Sequence, residues 1–361
     1  MNIEVIKVRD LGSFIDSELY ESLSNIPISR LRALSQLNNP RADGDDVALI
    51  FAHDNGTLYA YIGLLPDRIW IDNISQKIWW NTCWWTNESE SNNVSIQLFF
   101  MACKFTQGQF YFPELTPHTS VLISKIKGFT VNNHFGIRAY LYANLVTLLP
   151  ARKKIFSQVR PLLIVADKMI NLTYWPISKF WQNKLAAKCL NYELVNQVDD
   201  EISAFIAVHN TGELFRRNKT ELNWINYYPW ITETNAIIPS RYAFSLYVKF
   251  FKNTMVKVYK DALLIGFFIL LVRDGNAKLT YCYFDNEFLT DVVDVLYEII
   301  LKNKINTFVA FDPAISEYIK KNKNPFILIR KHVKTVGFPS ILKSGMSPEV
   351  LQDGDGDCAF T

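Results

Sequence analysis

Residues 77–129 of this 361-residue chain, KIWWNTCWWTNESESNNVSIQLFFMACKFTQGQFYFPELTPHTSVLISKIKGF, constrain its fold more than any other stretch. Residues 78–85 are too short a run, and too rich in large β-formers, for a helix, and predict a strand. A polar loop follows at residues 86–93, and the apolar spacing of residues 94–105 predicts a helix with one buried face. Phe110-Tyr111-Phe112 forms a second short strand, stopped by Pro113. Pro117 opens another helical segment, and Gly128 is expected to end it as a C-terminal cap. The order is strand, polar loop, helix, strand, helix.

Upstream, residues 3–8 alternate as a strand, and residues 17–37 read as helices interrupted at Pro27. Residues 47–52 and 57–64 are apolar strands joined by His53-Asp54-Asn55-Gly56, in which Asn-Gly is a strong hairpin signal. Pro66-Asp67-Arg68 is expected to break the connection to the aromatic strand. Downstream, residues 136–149 and 152–164 carry the chain across, with Arg152, Lys153 and Lys154 marking a solvated junction. The same order then starts again. Residues 195–209 and 220–227 read as helices, residues 255–259 and 263–272 as strands, and Asp274-Gly275-Asn276 as a turn. Strands at 278–284 and 307–311 enclose a helix at 288–301, and a last helix spans 315–321. At an offset of 199, Cys83, Asn87, Glu88 and Phe112 fall on Cys282, Asn286, Glu287 and Phe311 without a gap. The register predicts an internal repeat; two unrelated α/β domains of similar order are the alternative.

This order, with Asn55-Gly56-Thr57-Leu58 and Ile62-Gly63-Leu64-Leu65-Pro66-Asp67 as its middle hairpin, resembles the GCN5-related N-acetyltransferase superfamily. The resemblance implies an α/β fold (α+β, with mixed sheets) of two tandem acyl-CoA N-acyltransferase-like units. Residues 1–150 would form the first, with the acyl-CoA site, and residues 165–361 a degenerate second. It implies acetyl-CoA or another acyl-CoA as cofactor. The pyrophosphate would lie at the loop and helix start, on Trp85, Thr86, Asn93, Val94, Ser95 and Ile96, where backbone N–H groups bind anions. The family's Arg/Gln-x-x-Gly-x-Gly/Ala positions carry Glu90, Asn93 and Ser95 here, and Ser124 stands where the family often has an acidic tyrosine. In the second unit Tyr318 is out of register and reads as a packing residue. Its loop, with Asp285, Glu287, Asp291 and Asp294, would repel a pyrophosphate.

Glu114 and His118 follow the second core strand and are the right residue types for proton transfer. Arg216, Arg217, Trp224 and Trp230 combine guanidinium forks with aromatic faces and are expected to wall the acceptor site. An exposed helix face with buried Trp anchors is the alternative. Residues 352–361, QDGDGDCAFT, resemble the start of an EF-hand loop but lack its later ligands, so no calcium is expected. Chains ending in this way also resemble tandem acetyltransferase-like proteins of bacterial surface-polysaccharide clusters, which implies an amino-sugar acceptor.

A 49% hydrophobic and 14% aromatic composition is ample for packed cores, and a net charge of +3 does not demand nucleic acid. Five scattered cysteines and five scattered histidines give no zinc-site spacing. The N-terminal residues MNIEVIKVRD lack a signal-peptide pattern. Residues 262–272, the longest apolar run, fall short of the roughly 20 that span a bilayer and predict a central strand. A cytoplasmic enzyme acting on a small-molecule acceptor, with no membrane span, is therefore expected. A Fem-type aminoacyl transferase and a non-catalytic scaffold with decayed sites are the other readings.

Overall fold

A computed structural model describes residues 1–87, 92–236, 238–340 and 351–361. They form two compact units assembled from interleaved stretches: Met1–His134, Gln197–Phe251 and Lys334–Thr361 in one, Phe135–Asn196 and Lys252–Val333 in the other. The boundaries fall inside two strands, Phe129–Tyr140 and Leu328–Pro339.

The first unit is built on a sheet ordered Asn2–Lys7, Val47–Asp54, Thr57–Ile71, Ile74–Thr86 and Phe110–Tyr111. Its first four strands are antiparallel and the last is parallel to its neighbour. Asn55 and Gly56, with φ of 46° and 78°, turn the first hairpin as Asn-Gly predicts. Pro66-Asp67-Arg68 does not break the chain as expected. Pro66 pairs with Trp79 within a continuous strand, and Asp72 and Asn73, at φ 49° and 62°, make the turn. Asp and Asn tolerate the left-handed region through their short polar side chains, a turn signal weaker to the eye than proline.

A one-residue bulge at Thr82 interrupts the pairing between Gly63–Cys83 and Leu64–Asn81. Position 63 admits only hydrogen there, because a Cβ would lie 2.5 Å from Cys83 Sγ and 2.7 Å from Thr82 Oγ1. Beyond the bulge, Trp84 stacks on Phe99 of the Asn92–Phe105 helix, centroids 5.3 Å apart. That helix buries Leu98, Phe99 and Ala102 against Ile62, Leu64, Phe110 and Phe112, and burying one such phenylalanine is worth about 2–3 kcal/mol. A separate core cluster joins Leu11, Phe14 and Ile15 to Phe51, Tyr61 and Cys83. The helix at Pro117–Lys125 has Thr116 as its N-cap but ends at Ile126 in extended backbone. Gly128, at φ 100°, lies in the turn beyond and is not the cap expected from sequence.

The second unit holds most of a sheet ordered Leu328–Pro339, Phe129–Tyr140, Thr307–Ala310, Asn276–Phe284, Leu263–Arg273, Phe251–Lys260 and Asn191–Val195. The apolar run is a buried strand between two partners, as its length predicts. A bulge at Thr280 corresponds to that at Thr82. The Leu289–Lys302 helix buries Val292, Val293, Leu296, Ile299 and Ile300, and Tyr318 packs on the same core. Both units thus run hairpin, bulged strand, helix, short parallel strand, helix. Each short strand takes its outer neighbour from a stretch remote in sequence. Phe112 bridges to Gly337, and Thr307–Ala310 pairs with Tyr140 to Ile137. Residues 152–164, read as a connection, lead into a 27-residue helix, Arg160–Ala186.

Candidate functional site

In the first unit the strand Ile74–Thr86 pairs with Phe110–Tyr111 only through Trp79–Phe110 and Trp80–Tyr111. Past Trp80 it continues to Thr86 without that partner, so two parallel strands part and leave a wedge. Across the polar loop the Trp84 Nε1–H donates to Ser95 Oγ at 2.6 Å, tying the strand's end to the helix start. Trp85 stacks on Tyr61 at 5.4 Å. Val94 is half-buried, Ser95 buried, and Asn93 and Ile96 exposed. The strand end and the helix start are thus linked through Trp84 and Ser95: Trp84 and Val94 pack in the core cluster under the helix, whereas Trp85 packs with Tyr61 in a separate cluster. Glu88, Glu90 and Ser91 lie outside the described residues.

Where the strands part, a cavity of about 20 Å³, room for a single water, is lined by Trp80, Tyr111, His134, Lys334, Gln352 and Asp355. Burial holds the His134 imidazole down to about 4, and the adjacent Lys334 ammonium adds to the effect. Burial opposes the charge of Lys334, but Asp353, 2.8 Å away, keeps its pKa above the ordinary value. The Tyr111 hydroxyl is buried without a hydrogen-bond partner among the described residues. These groups come from segments up to 275 positions apart, and no sequence motif connects them.

Beside the cavity runs a buried ionic network. Asp67 accepts from Arg41 Nη1 at 2.7 Å, from Arg217 Nη2 at 2.6 Å and from Trp80 Nε1 at 2.8 Å. Arg41 also reaches Glu221 at 3.0 Å, and Arg217 reaches Asp355 at 3.4 Å. Burial alone would raise the Asp67 pKa, but the guanidinium groups of Arg217 and Arg41 outweigh it and bring the carboxyl to about 2. Asp355 goes the other way. Burial, with the charge of Asp67, pushes it to about 6 against the pull of Arg217.

No family model matches the sequence, and no curated protein matches it. Solved structures do. A conserved protein of unknown function from Enterococcus faecalis V583, named a probable N-acyltransferase, matches at TM-score 0.50 and 9% identity over 93% of this chain and 72% of that one. The chain has the N-acyltransferase fold. Weaker likenesses include N-myristoyltransferase from Saccharomyces cerevisiae with bound myristoyl-CoA (TM-score 0.46, 10% identity, 94% of this chain and 78% of that one). A GCN5-related N-acetyltransferase from Anabaena variabilis is also similar (TM-score 0.47, 9% identity, 93% and 72%).

Within this N-acyltransferase fold the other predicted residues divide sharply. Glu114 and His118 are exposed just beyond the Phe110–Tyr111 strand. Arg217, Trp224 and Trp230 do not stand on a cleft wall; they are interior residues of the first unit. Arg217 is 3% exposed and committed to Asp67 and Asp355. Trp224 donates Nε1–H to the Ser35 carbonyl at 2.7 Å. Trp230 stacks on Phe360, ring centroids 4.6 Å apart, and the Arg32 guanidinium lies 4.2 Å from the centre of its ring. Arg216 is half-buried and donates to Asn73 Oδ1 at 2.8 Å. Desolvating tryptophans beside paired arginines is what packing, rather than recognition, asks of these residues.

In the second unit the parallel strands pair at 276–278 with 307–309 and then also part. There the helix start is acidic, with Asp294 buried in an ion pair with Lys188 and Asp291 paired to Lys260. A larger cavity of about 210 Å³ in this unit is lined by Tyr140, Tyr142, Leu145, Leu148, Ile170 and Arg330. Among the described residues no cluster of His, Cys, Asp or Glu is arranged for a metal.

Proposed function

We propose that this chain transfers an acyl group from acyl-CoA to an amine or hydroxyl of a small-molecule acceptor. The single observation that carries the reading is the parting of Ile74–Thr86 from Phe110–Tyr111 above the start of the Asn92–Phe105 helix. The wedge leaves strand backbone free to polarise a thioester carbonyl, and the helix start offers N–H groups to a pyrophosphate. Trp85, Thr86 and Asn93 to Ile96 would hold the cofactor there, and acyl-CoA supplies the activated thioester. The acceptor nitrogen or oxygen forms its bond to the carbonyl carbon as the C–S bond breaks. Its proton passes to a base, and the thiolate leaves as CoA–SH once protonated. Glu114 and His118 are the proposed proton-transfer groups, since both are solvent-accessible next to the wedge strand.

The finer reading is an amino-sugar acceptor met in the cytoplasm, and it rests on the sequence resemblance of residues 352–361. The sequential halves, 1–150 and 165–361, are proposed to be duplicates, which their common element order supports. A non-catalytic binding protein is the second reading. It is favoured by the seating of Gly356 against Trp80 and Pro113, which places the 351–361 segment over the wedge strands.

Calorimetry with acetyl-CoA and longer acyl-CoAs tests the proposal. The parent should bind, and Ser95→Asp should abolish binding, because a carboxylate opposes the up to about 2 kcal/mol that a helix start gives a phosphate. A parent that binds no acyl-CoA at millimolar concentration would leave the binding-protein reading in its place.

A further inference from the structure

The Arg160–Ala186 helix carries two apolar stripes. One, formed by Leu163, Tyr174, Trp181 and Leu185, is buried in the second unit. The other, Leu162, Val165, Met169, Leu172 and Phe180, is 57–69% exposed. At 3.6 residues per turn these five fall on the side opposite the buried stripe and extend about 27 Å along the axis. Trp175 and Ile177, 64% and 50% exposed, broaden it, and Ile155 lies just upstream at 66%. Single exposed apolar residues are ordinary, but a contiguous stripe of this size marks an interaction surface.

Charge selects the occupant. Between residues 153 and 184 the basic side chains are Lys153, Lys154, Arg160, Lys168, Lys179 and Lys184, all exposed. The one acidic residue in that span, Asp167, is buried and accepts the N–H groups of Leu145 and Val146 at 2.7 and 3.0 Å. A second copy of the chain would bring the same positive field against this one. A layer of anionic headgroups would neutralise it, with Lys168 and Lys179 beside the stripe and able to extend their ammonium groups outward along apolar stems. No described helix is long and apolar enough to cross a membrane, so the geometry is that of a helix lying in the interface plane.

We propose that the Arg160–Ala186 helix docks this protein on an anionic lipid bilayer, its exposed stripe immersed at the boundary of headgroups and acyl chains. The surface belongs to the second unit and does not depend on any activity of the first. Flotation of the full chain with phosphatidylcholine vesicles, with and without phosphatidylglycerol, provides the test. Binding should be at least about tenfold stronger with the anionic lipid and should weaken with added salt. The double variant Met169→Glu, Leu172→Glu should abolish it, and Lys168→Glu, Lys179→Glu should reduce it to the level of the neutral vesicles. Both pairs are exposed, so circular dichroism should match the parent. Brominated lipid should quench the parent's tryptophan emission more than that of Trp175→Phe. Absence of binding, equal binding to neutral vesicles, or a dimer in light scattering that Leu172→Glu dissolves would each overturn the proposal.

Discussion

Gly337 and Phe112 exchange both backbone hydrogen bonds, 2.8 Å from the Phe112 N–H to the Gly337 carbonyl and 3.0 Å in return. The same pair is crowded: a Cβ at 337 would lie 3.0 Å from Leu115 Cδ1 and 3.1 Å from Phe112 Cδ2. Gly136 is crowded by Phe311 in turn, where a Cβ would lie 2.7 Å from Phe311 Cδ1, with the Ala310 carbonyl oxygen as a nearer obstacle. Gly337→Ala meets the ends of side chains that can shift, and should cost about 1 kcal/mol; Gly136→Ala meets backbone, and should cost about 3 kcal/mol. Urea unfolding of the two variants checks the order.

Asp67 sits between two buried guanidinium groups, so Asp67→Ala leaves charge without its partner and should cost about 3–5 kcal/mol. Glu221→Gln should cost less. Arg41 keeps Asp67, and the glutamine can still accept from the Asn218 N–H, as Glu221 does at 2.8 Å. Equal losses in thermal unfolding would show that Asp67 is not the centre of the network.

The Asp355 carboxyl, raised from 3.8 to about 6, holds a proton in the folded state that the unfolded chain has already released. Its contribution to stability is complete below the unfolded value and is lost as pH rises through the folded one. His134, lowered from 6.5 to about 4, gives the opposite slope, since its contribution is lost as pH falls through the folded value. Asp355→Asn removes the first effect alone. Urea midpoints should therefore climb more steeply from pH 4 to 6.5 in the variant than in the parent.

Asp294 is paired with Lys188 and largely buried, whereas its neighbour in the pair is 40% exposed. Asp294→Ser is expected to lower stability by about 1 kcal/mol and to leave acyl-CoA affinity unchanged. Calorimetry and a melting curve on the same sample separate the two effects.

The element order was legible because each piece carries its own local signal. Asn55-Gly56 announces a hairpin, the aromatic run announces a strand, and the 3.6 periodicity of Val292, Val293, Leu296 and Ile300 announces a helix. Proline misled at position 66, because a proline that pairs where no N–H is required leaves a strand intact. The cavity was not legible. His134, Lys334 and Asp355 are ordinary residues in sequence and acquire meaning only when a distant strand and the 351–361 segment are laid beside Trp80. Arg217 and Trp230 carried a true signal of importance, but sequence cannot tell a guanidinium that meets a ligand from one that meets Asp67.

The bridging of Phe112 to Gly337 bears on how this protein is made. A ribosome that has delivered the first hundred and fifty residues has released a sheet whose outermost strand still shows its N–H and C=O groups to solvent. That edge waits through nearly two hundred further residues for its neighbour, and an unclosed edge of this kind pairs readily with other chains. Nascent chains should therefore depend on chaperones until the last strand emerges, and a cut between the sequential halves should yield aggregates rather than two folded domains.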